Sequence, residues 1–312
     1  MSVFEKSAVE KPAVEKPAVE KPFVPYVWQR RVITNAKNGD VQTQKTEAIF
    51  FGGNHSPDLP HGENVLNYLN TEKPSVIILE GMTFWNTASW KEKLAYLKQF
   101  EGLSLEECLN VPKVRERGAV YFYVLQNLEK FENGEIQVVC GEGSMSQEID
   151  VLSEEYEDGE ILEFYLLREI EMFYRNLTNS ADFKPENFQK EDLVDSISNY
   201  MRIVGHNFSV PENFDVKQFL SYLEWKYQKY QLNFQNYSFQ TTKSLQSLMI
   251  PRADSKITVC KIKDKLRELR NQFLLQKVAE FQKFGKVMAF YGQNHIINIH
   301  EAQKQARLAK TA

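Results

Sequence analysis

Short, unbroken apolar runs sit near the two ends of the chain, and longer stretches of helical periodicity fill the space between them. Glu47-Ala48-Ile49-Phe50-Phe51 runs into Gly52-Gly53, and Val76-Ile77-Ile78-Leu79 ends at Glu80-Gly81. Ile136-Gln137-Val138-Val139-Cys140-Gly141 and Lys286-Val287-Met288-Ala289-Phe290-Tyr291-Gly292 have the same form. Runs of this length, rich in β-branched and aromatic residues and closed by glycine, predict strands covered on both faces, as in a parallel sheet. Apolar positions at helical spacing predict helices over 64–69, 90–100, 114–131 and 255–284, with another from 296. This alternation predicts an α/β fold with a mainly parallel central sheet flanked by helices. Over about 155–250 the texture changes to long amphipathic patterns such as Leu162, Tyr165, Leu166, Ile170 and Phe173. They predict a large helical insertion between the third strand and the C-terminal strand, with Tyr222, Trp225 and Tyr230 as packing residues.

The first residues are of a different kind. Val-Glu-Lys-Pro recurs from Val9, placing Pro12, Pro17 and Pro22 at even spacing. Proline at that interval forbids a helix and removes ladder donors from a strand, while the Glu-Lys pairs keep the segment solvated. Residues 1–24 therefore read as a disordered tail, and 25–312 as one folded domain.

Composition narrows the function classes. Of 312 residues, 38 are basic and 42 acidic, a net charge of −4, so there is no basic excess to support nucleic-acid binding. No apolar run reaches the roughly 18 residues of a membrane span, and no apolar segment near Met1 resembles a secretory leader. The three cysteines, Cys108, Cys140 and Cys260, are far apart and form no CxxC motif. Together these features predict a chain of the cytoplasm, with no thiolate metal site.

The most informative feature is a repeated tetrad. Gly52-Gly53-Asn54-His55 and Gly292-Gln293-Asn294-His295 both read Gly-x-Asn-His, and both follow an apolar strand. Composition alone predicts roughly 0.015 copies in such a chain. Ligands of an open parallel sheet bind outside the carboxyl ends of its strands. Gly52 and Gly292 let the backbone turn and a ligand approach, and His55 and His295 meet if the first and last strands are neighbours. Glu80 and Glu142 close the other two strands, where a carboxylate ligates a metal or orients a histidine. Arg267 and Arg270 share one face of the last long helix. Arg267 reads as a solvated residue, whereas Arg270-Asn271 reads as a clamp reaching into the cleft. Asn54, Asn294 and Glu142 are secondary candidates. His61 reads as a loop residue near His55, and His206 as a turn residue.

With these residues in place, the chain resembles the TraB/PrgY–Tiki group within the broader EreA/ChaN-like superfamily. The resemblance rests on the paired Gly-x-x-His motifs, on Leu79-Glu80-Gly81, and on Leu269-Arg270-Asn271-Gln272, covering about residues 47–82 and 264–302. It implies a cleft built from His55, Glu80, Arg270 and His295. Tiki-like members are metal-dependent proteases, erythromycin-esterase-like members use a histidine as a base on water, and ChaN-like members bind haem. Two functions follow as expectations. The first is a hydrolase of a peptide or small-molecule ester. In its metal form His55, Glu80 and His295 hold Mn²⁺, Co²⁺ or Zn²⁺, with haem ranking behind. In its metal-free form a histidine deprotonates water. The second is a non-catalytic binding protein, or a bacterial effector delivered into a host cell, that meets a protein partner through the helical region or the N-terminal tail.

Overall fold

The computed structural model describes residues 26–33, 43–53, 59–111, 114, 117–179, 183–208, 210, 214–292 and 295–299. Residues 1–24, Asn54, His55 and Asn294 lie outside the described residues. Five strands form one sheet: β1 (Tyr26–Ile33), β2 (Thr43–Gly53), β3 (Val76–Leu79), β4 (Gln137–Cys140) and β5 (Val287–Gly292). Their order is β1-β2-β5-β3-β4. The last four are mutually parallel, and β1 is an antiparallel edge strand registered from Tyr26↔Phe50 to Ile33↔Thr43. The chain is thus α/β with a mainly parallel sheet, as its apolar runs predict. The hairpin of β1 with the first half of β2 was not legible. Thr43-Gln44-Lys45-Thr46 carries no apolar run, and pairing with β1 makes it a strand.

Side chains alternate between the two faces of the sheet. Ile49, Phe51, Ile77, Leu79, Val138, Cys140, Met288 and Phe290 pack into one buried cluster. This cluster is covered by α1 (Leu59–Glu72), α2 (Phe84–Thr87), α3 (Trp90–Lys98), α4 (Leu105–Asn110), α5 (Arg117–Gln126) and α6 (Leu128–Glu132). Three further helices lead into the insertion and through it: α7 (Met145–Leu152), α8 (Asp158–Asn179) and α9 (Lys190–Val204). They are followed by α10 (Val216–Lys226), α11 (Phe239–Leu248) and α12 (Thr258–Phe281). On the opposite face Ala48, Phe50, Val76, Ile78, Ala289 and Tyr291 pack against Leu274 and Val278 of α12. The first half of α12 has a different partner. Val259, Ile262, Leu266 and Leu269 belong to a third core shared with α7–α11. One 24-residue helix therefore belongs to both the sheet and the helical unit.

Local sequence sets several of these boundaries. Ser89, Ser104 and Ser144 cap α3, α4 and α7, each in a reciprocal box with Glu92, Glu107 or Gln147 three residues on. The helix read as 64–69 begins earlier, at Leu59, because Pro60 suits a first turn. His61 is therefore a helical residue rather than a loop residue, its ring 6.0 Å from that of Phe51. Strand β4 lies at the edge of the sheet, where the Asn86 side-chain amide takes the place of a neighbouring strand. Its Nδ2 donates to Cys140 O at 3.0 Å, and Cys140 N–H donates to its Oδ1 at 2.9 Å. The aromatic stripe of α10 is not core: Trp225 is 70% exposed and Tyr222 40%.

Helices α4 and α5 meet at Gly118, where a Cβ would lie 2.5 Å from Cys108 O and 2.8 Å from Leu109 N. These are backbone atoms, so the clash cannot be relieved by a rotamer change. Gly118→Ala should destabilise the fold by about 2 kcal/mol or more in urea unfolding. Gly159→Ala, in α8 with open space around it, should leave stability unchanged or raise it by up to about 1 kcal/mol.

Candidate active site

The sheet order brings the two glycine–histidine segments side by side, because β2 and β5 are neighbours. The copies are not in phase, however. Gly52 is registered with Tyr291, and Gly53 with Gly292. A one-residue offset reverses the face a side chain takes, so Phe51 and Tyr291, equivalent within the motif, enter opposite cores.

Glu80 immediately follows β3, between the ends of β5 and β4. Its own N–H bonds Phe290 O at 3.2 Å, which extends the β3–β5 ladder by one residue. Gly81 then takes φ +73°, a left-handed conformation that ends the strand at no steric cost. The Glu80 side chain turns back toward β5, where Oε2 accepts the Gly292 N–H at 2.5 Å. Its other oxygen, Oε1, lies 3.9 Å from His295 Nε2.

His295 opens the helical segment 295–299 that follows β5. Its Nδ1 is 2.7 Å from Asn271 Oδ1 on α12. An amide oxygen only accepts, so Nδ1 carries a proton, and in the neutral ring Nε2 presents its lone pair toward Glu80. Asn271 thus fixes both the tautomer and the ring orientation. In neutral histidine, Nε2 and Glu80 Oε1 are both acceptors. A separation of 3.9 Å suits a bridging water or one cation, whose bonds to N and O would each be about 2.1 Å.

Arg270, the neighbour of Asn271, joins three elements. Its Nε donates to Glu148 Oε1 at 3.1 Å, and Nη1 lies 3.5 Å from Glu142 Oε1. Burial works against its charge, but Glu142, Glu148 and Glu80 together outweigh that and hold the guanidinium ionised. Glu148 is 4% exposed and takes a second bond from Tyr165 OH at 3.0 Å. Burial pushes the Glu142 carboxyl above its ordinary value, Arg270 opposes the shift, and Glu80 and Glu148 reinforce it. Glu142 also lines a cleft of about 520 Å³ together with Asn86, Lys93, Ser144, Phe273 and Lys277.

Of the residues picked out in the sequence, Glu80, Glu142, Arg270, Asn271, Gly292 and His295 come together, with Gly52 at the same end of the sheet. Arg267 does not join them and pairs with Asp264 at 2.5 Å on its own helix. His206 lies in a 3₁₀ turn (Gly205–Asn207). Sequence reasoning missed Glu148 and Tyr291. The signal for Glu148 was an acid on the apolar stripe formed by Met145, Ile149 and Leu152 of α7. Among the described residues no group of three His, Cys, Asp or Glu side chains is placed to hold a metal ion. His295 and Glu80 supply two donors of suitable chemistry, and the third expected ligand, His55, lies outside the described residues.

No protein-family model, curated protein or solved structure matches the chain.

Removing the buried cation leaves Glu142 and Glu148 uncompensated. Arg270→Met should therefore cost about 3 kcal/mol at pH 7, measured by urea unfolding. A carboxyl whose folded pKa lies above its unfolded one binds more protons in the folded state, so it loses stability as pH rises. Without Arg270 the Glu142 carboxyl loses the charge that opposes its rise, so the variant's deficit should be largest at neutral pH and narrow as pH falls toward about 4.

Proposed function

We propose that this chain is a hydrolase of peptide or ester bonds that activates water between His295 and Glu80. The observation that carries the reading is the His295–Glu80 pair itself. Asn271 aims the histidine's basic nitrogen at a carboxylate across a gap of 3.9 Å, at the carboxyl ends of adjacent parallel strands. The resemblance to TraB/PrgY–Tiki proteins supports the same reading from the sequence.

In this reaction His295 Nε2 takes the proton of water as its oxygen attacks the carbonyl carbon. Glu80 steadies the imidazolium that forms, and its bond to Gly292 N–H keeps it in place. Arg270 lies on the side where negative charge develops on the carbonyl oxygen. As the intermediate collapses, His295 passes that proton to the leaving group. A divalent ion held by His295, Glu80 and His55 would lower the pKa of bound water, with the same residues orienting it. Binding through the helical unit is a second reading, favoured by the exposed Trp225 and Tyr222 of α10.

The test is turnover of p-nitrophenyl esters and fluorogenic peptides, with and without Mn²⁺, Co²⁺ or Zn²⁺, alongside metal stoichiometry. His295→Ala should lower kcat by roughly 10²-fold or more with an unchanged circular-dichroism spectrum. Asn271→Ala should lower kcat by about 10- to 100-fold and displace the acidic limb of the pH profile, where the histidine base loses its proton, as expected of a positioning residue. In the metal form, about one ion per chain binds to wild type and is lost in His295→Ala. Turnover that does not depend on His295 would remove the hydrolase reading and leave binding through the helical unit.

A further inference from the structure

Tyr291 is the group in this region that the hydrolytic scheme leaves unused. It lies in β5, 2% exposed, and its hydroxyl has no hydrogen-bond partner among the described residues. A phenol held out of water in this way costs about 1–3 kcal/mol compared with a satisfied one. Phenylalanine would fill the same space without that penalty, and the other copy of the motif has Phe51 at the corresponding position. Such an atom calls for an explanation, and unlike the orphaned hydroxyls of Tyr121 and Tyr174, which lie within the helix-covered cores, that of Tyr291 lies at the strand ends.

Its surroundings indicate one. In the register of the sheet, Gly52 of β2 stands beside Tyr291 on one side. On the other side, the next residues past Leu79 and Cys140 are Glu80 and Gly141. The Tyr291 ring crosses over β3 in contact with Ile78 and brings its hydroxyl to Gly141, where a Cβ would lie only 2.2 Å from the oxygen. The hydroxyl therefore occupies space that glycine leaves at the end of β4. Gly141 is followed by Glu142, which meets Arg270 on one side and lines the 520 Å³ cleft on the other. The Tyr291 ring stands edge-on to that of His295, centroids 5.9 Å apart. Among the described residues, the charged groups at these strand ends include three carboxylates and a guanidinium engaged by two of them. A phenol, protonated at neutral pH, adds an uncharged donor.

We propose that the Tyr291 hydroxyl donates a hydrogen bond to the carbonyl oxygen of the substrate, and to the oxyanion that forms from it, making Tyr291 a catalytic residue of this site. This assignment rests on the hydrolase reading and deepens it. The substrate is then an uncharged carbonyl compound, an ester or amide, whose oxygen enters over Gly141 between Tyr291 and Arg270. No proton is transferred to or from Tyr291. Water supplies the nucleophile, its proton goes to His295, and the phenol remains O–H throughout.

The experiment compares wild type, Tyr291→Phe and His295→Ala in two assays. One is turnover of p-nitrophenyl acetate. The other is binding of 2,2,2-trifluoroacetophenone, whose hydrate is an uncharged tetrahedral mimic, followed by fluorine NMR. Tyr291→Phe should keep the wild-type unfolding midpoint or raise it, since it removes an unsatisfied buried hydroxyl. It should lower kcat roughly 10²-fold with KM within about threefold, and weaken the ketone hydrate about tenfold or more. Unchanged kcat and unchanged hydrate affinity in Tyr291→Phe would overturn the proposal while leaving a His295-dependent hydrolase intact. If wild-type turnover does not depend on His295, the hydrolase reading alone fails, and the binding assay decides the role of Tyr291. Hydrate binding lost in Tyr291→Phe then supports it as a ligand donor. Binding unaffected by the substitution, or no binding to wild type, overturns it.

Discussion

The structure turns on a buried guanidinium. Helix α12 leaves the core of the helical unit at Leu269 and joins the core against the sheet at Leu274, and Arg270 sits at that change of partner. Its charge is met by Glu148 from α7 and by Glu142 from the loop after β4. Tyr165 of α8 holds the far oxygen of Glu148. A cation out of water is tolerable only with such partners, and each carboxylate is tolerable only because of the cation. The apolar contacts of α12 permit some sliding along its axis, whereas these directional bonds do not. They fix the rotation and height of α12 against the strand ends. Asn271, one residue further on, can then meet His295 at 2.7 Å. The orientation of the histidine thus depends on a charge network it does not touch.

The strand order does the other half of the positioning. After β3 and β4 are laid down outward from β2, the chain passes through the helical unit and returns to insert β5 between β2 and β3. The direction of strand addition reverses there, and such a switch opens a crevice at the carboxyl ends. Glu80 lies in that crevice because β3 is only four residues long and ends in a left-handed glycine. Its bond to Gly292 N–H ties the ends of β3 and β5 together. A carboxylate anchored through one oxygen keeps the other in a defined direction, here toward His295.

Much of this was legible in the sequence because the signals are local. Buried parallel strands read as apolar runs, and Glu80, Arg270 and His295 as chemistry placed where strands and helices end. What stayed hidden depends on pairing across the chain. The hairpin of β1 with the polar half of β2 has no hydrophobic signature. The one-residue offset between the two Gly-x-Asn-His copies follows from the β2–β5 register, which no single segment encodes. Glu148 reads as an ordinary surface acid until Arg270, 122 residues away, is placed against it. Tyr291 reads as one more strand aromatic until Gly141 is seen to make room for its hydroxyl.

The charge balance at the strand ends constrains what can react there. Glu80, Glu142 and Glu148 bring three carboxylates, and Arg270 is bonded to one of them and adjacent to another. Arg168 of α8 acts on Glu142 only through space. Among the described residues the strand ends are thus acidic, while Lys93 and Lys277 on the cleft wall beside Glu142 bring the opposite charge. The same excess explains why burial raises Glu142 even beside a guanidinium: Arg270 is shared, and Glu80 and Glu148 work against ionisation.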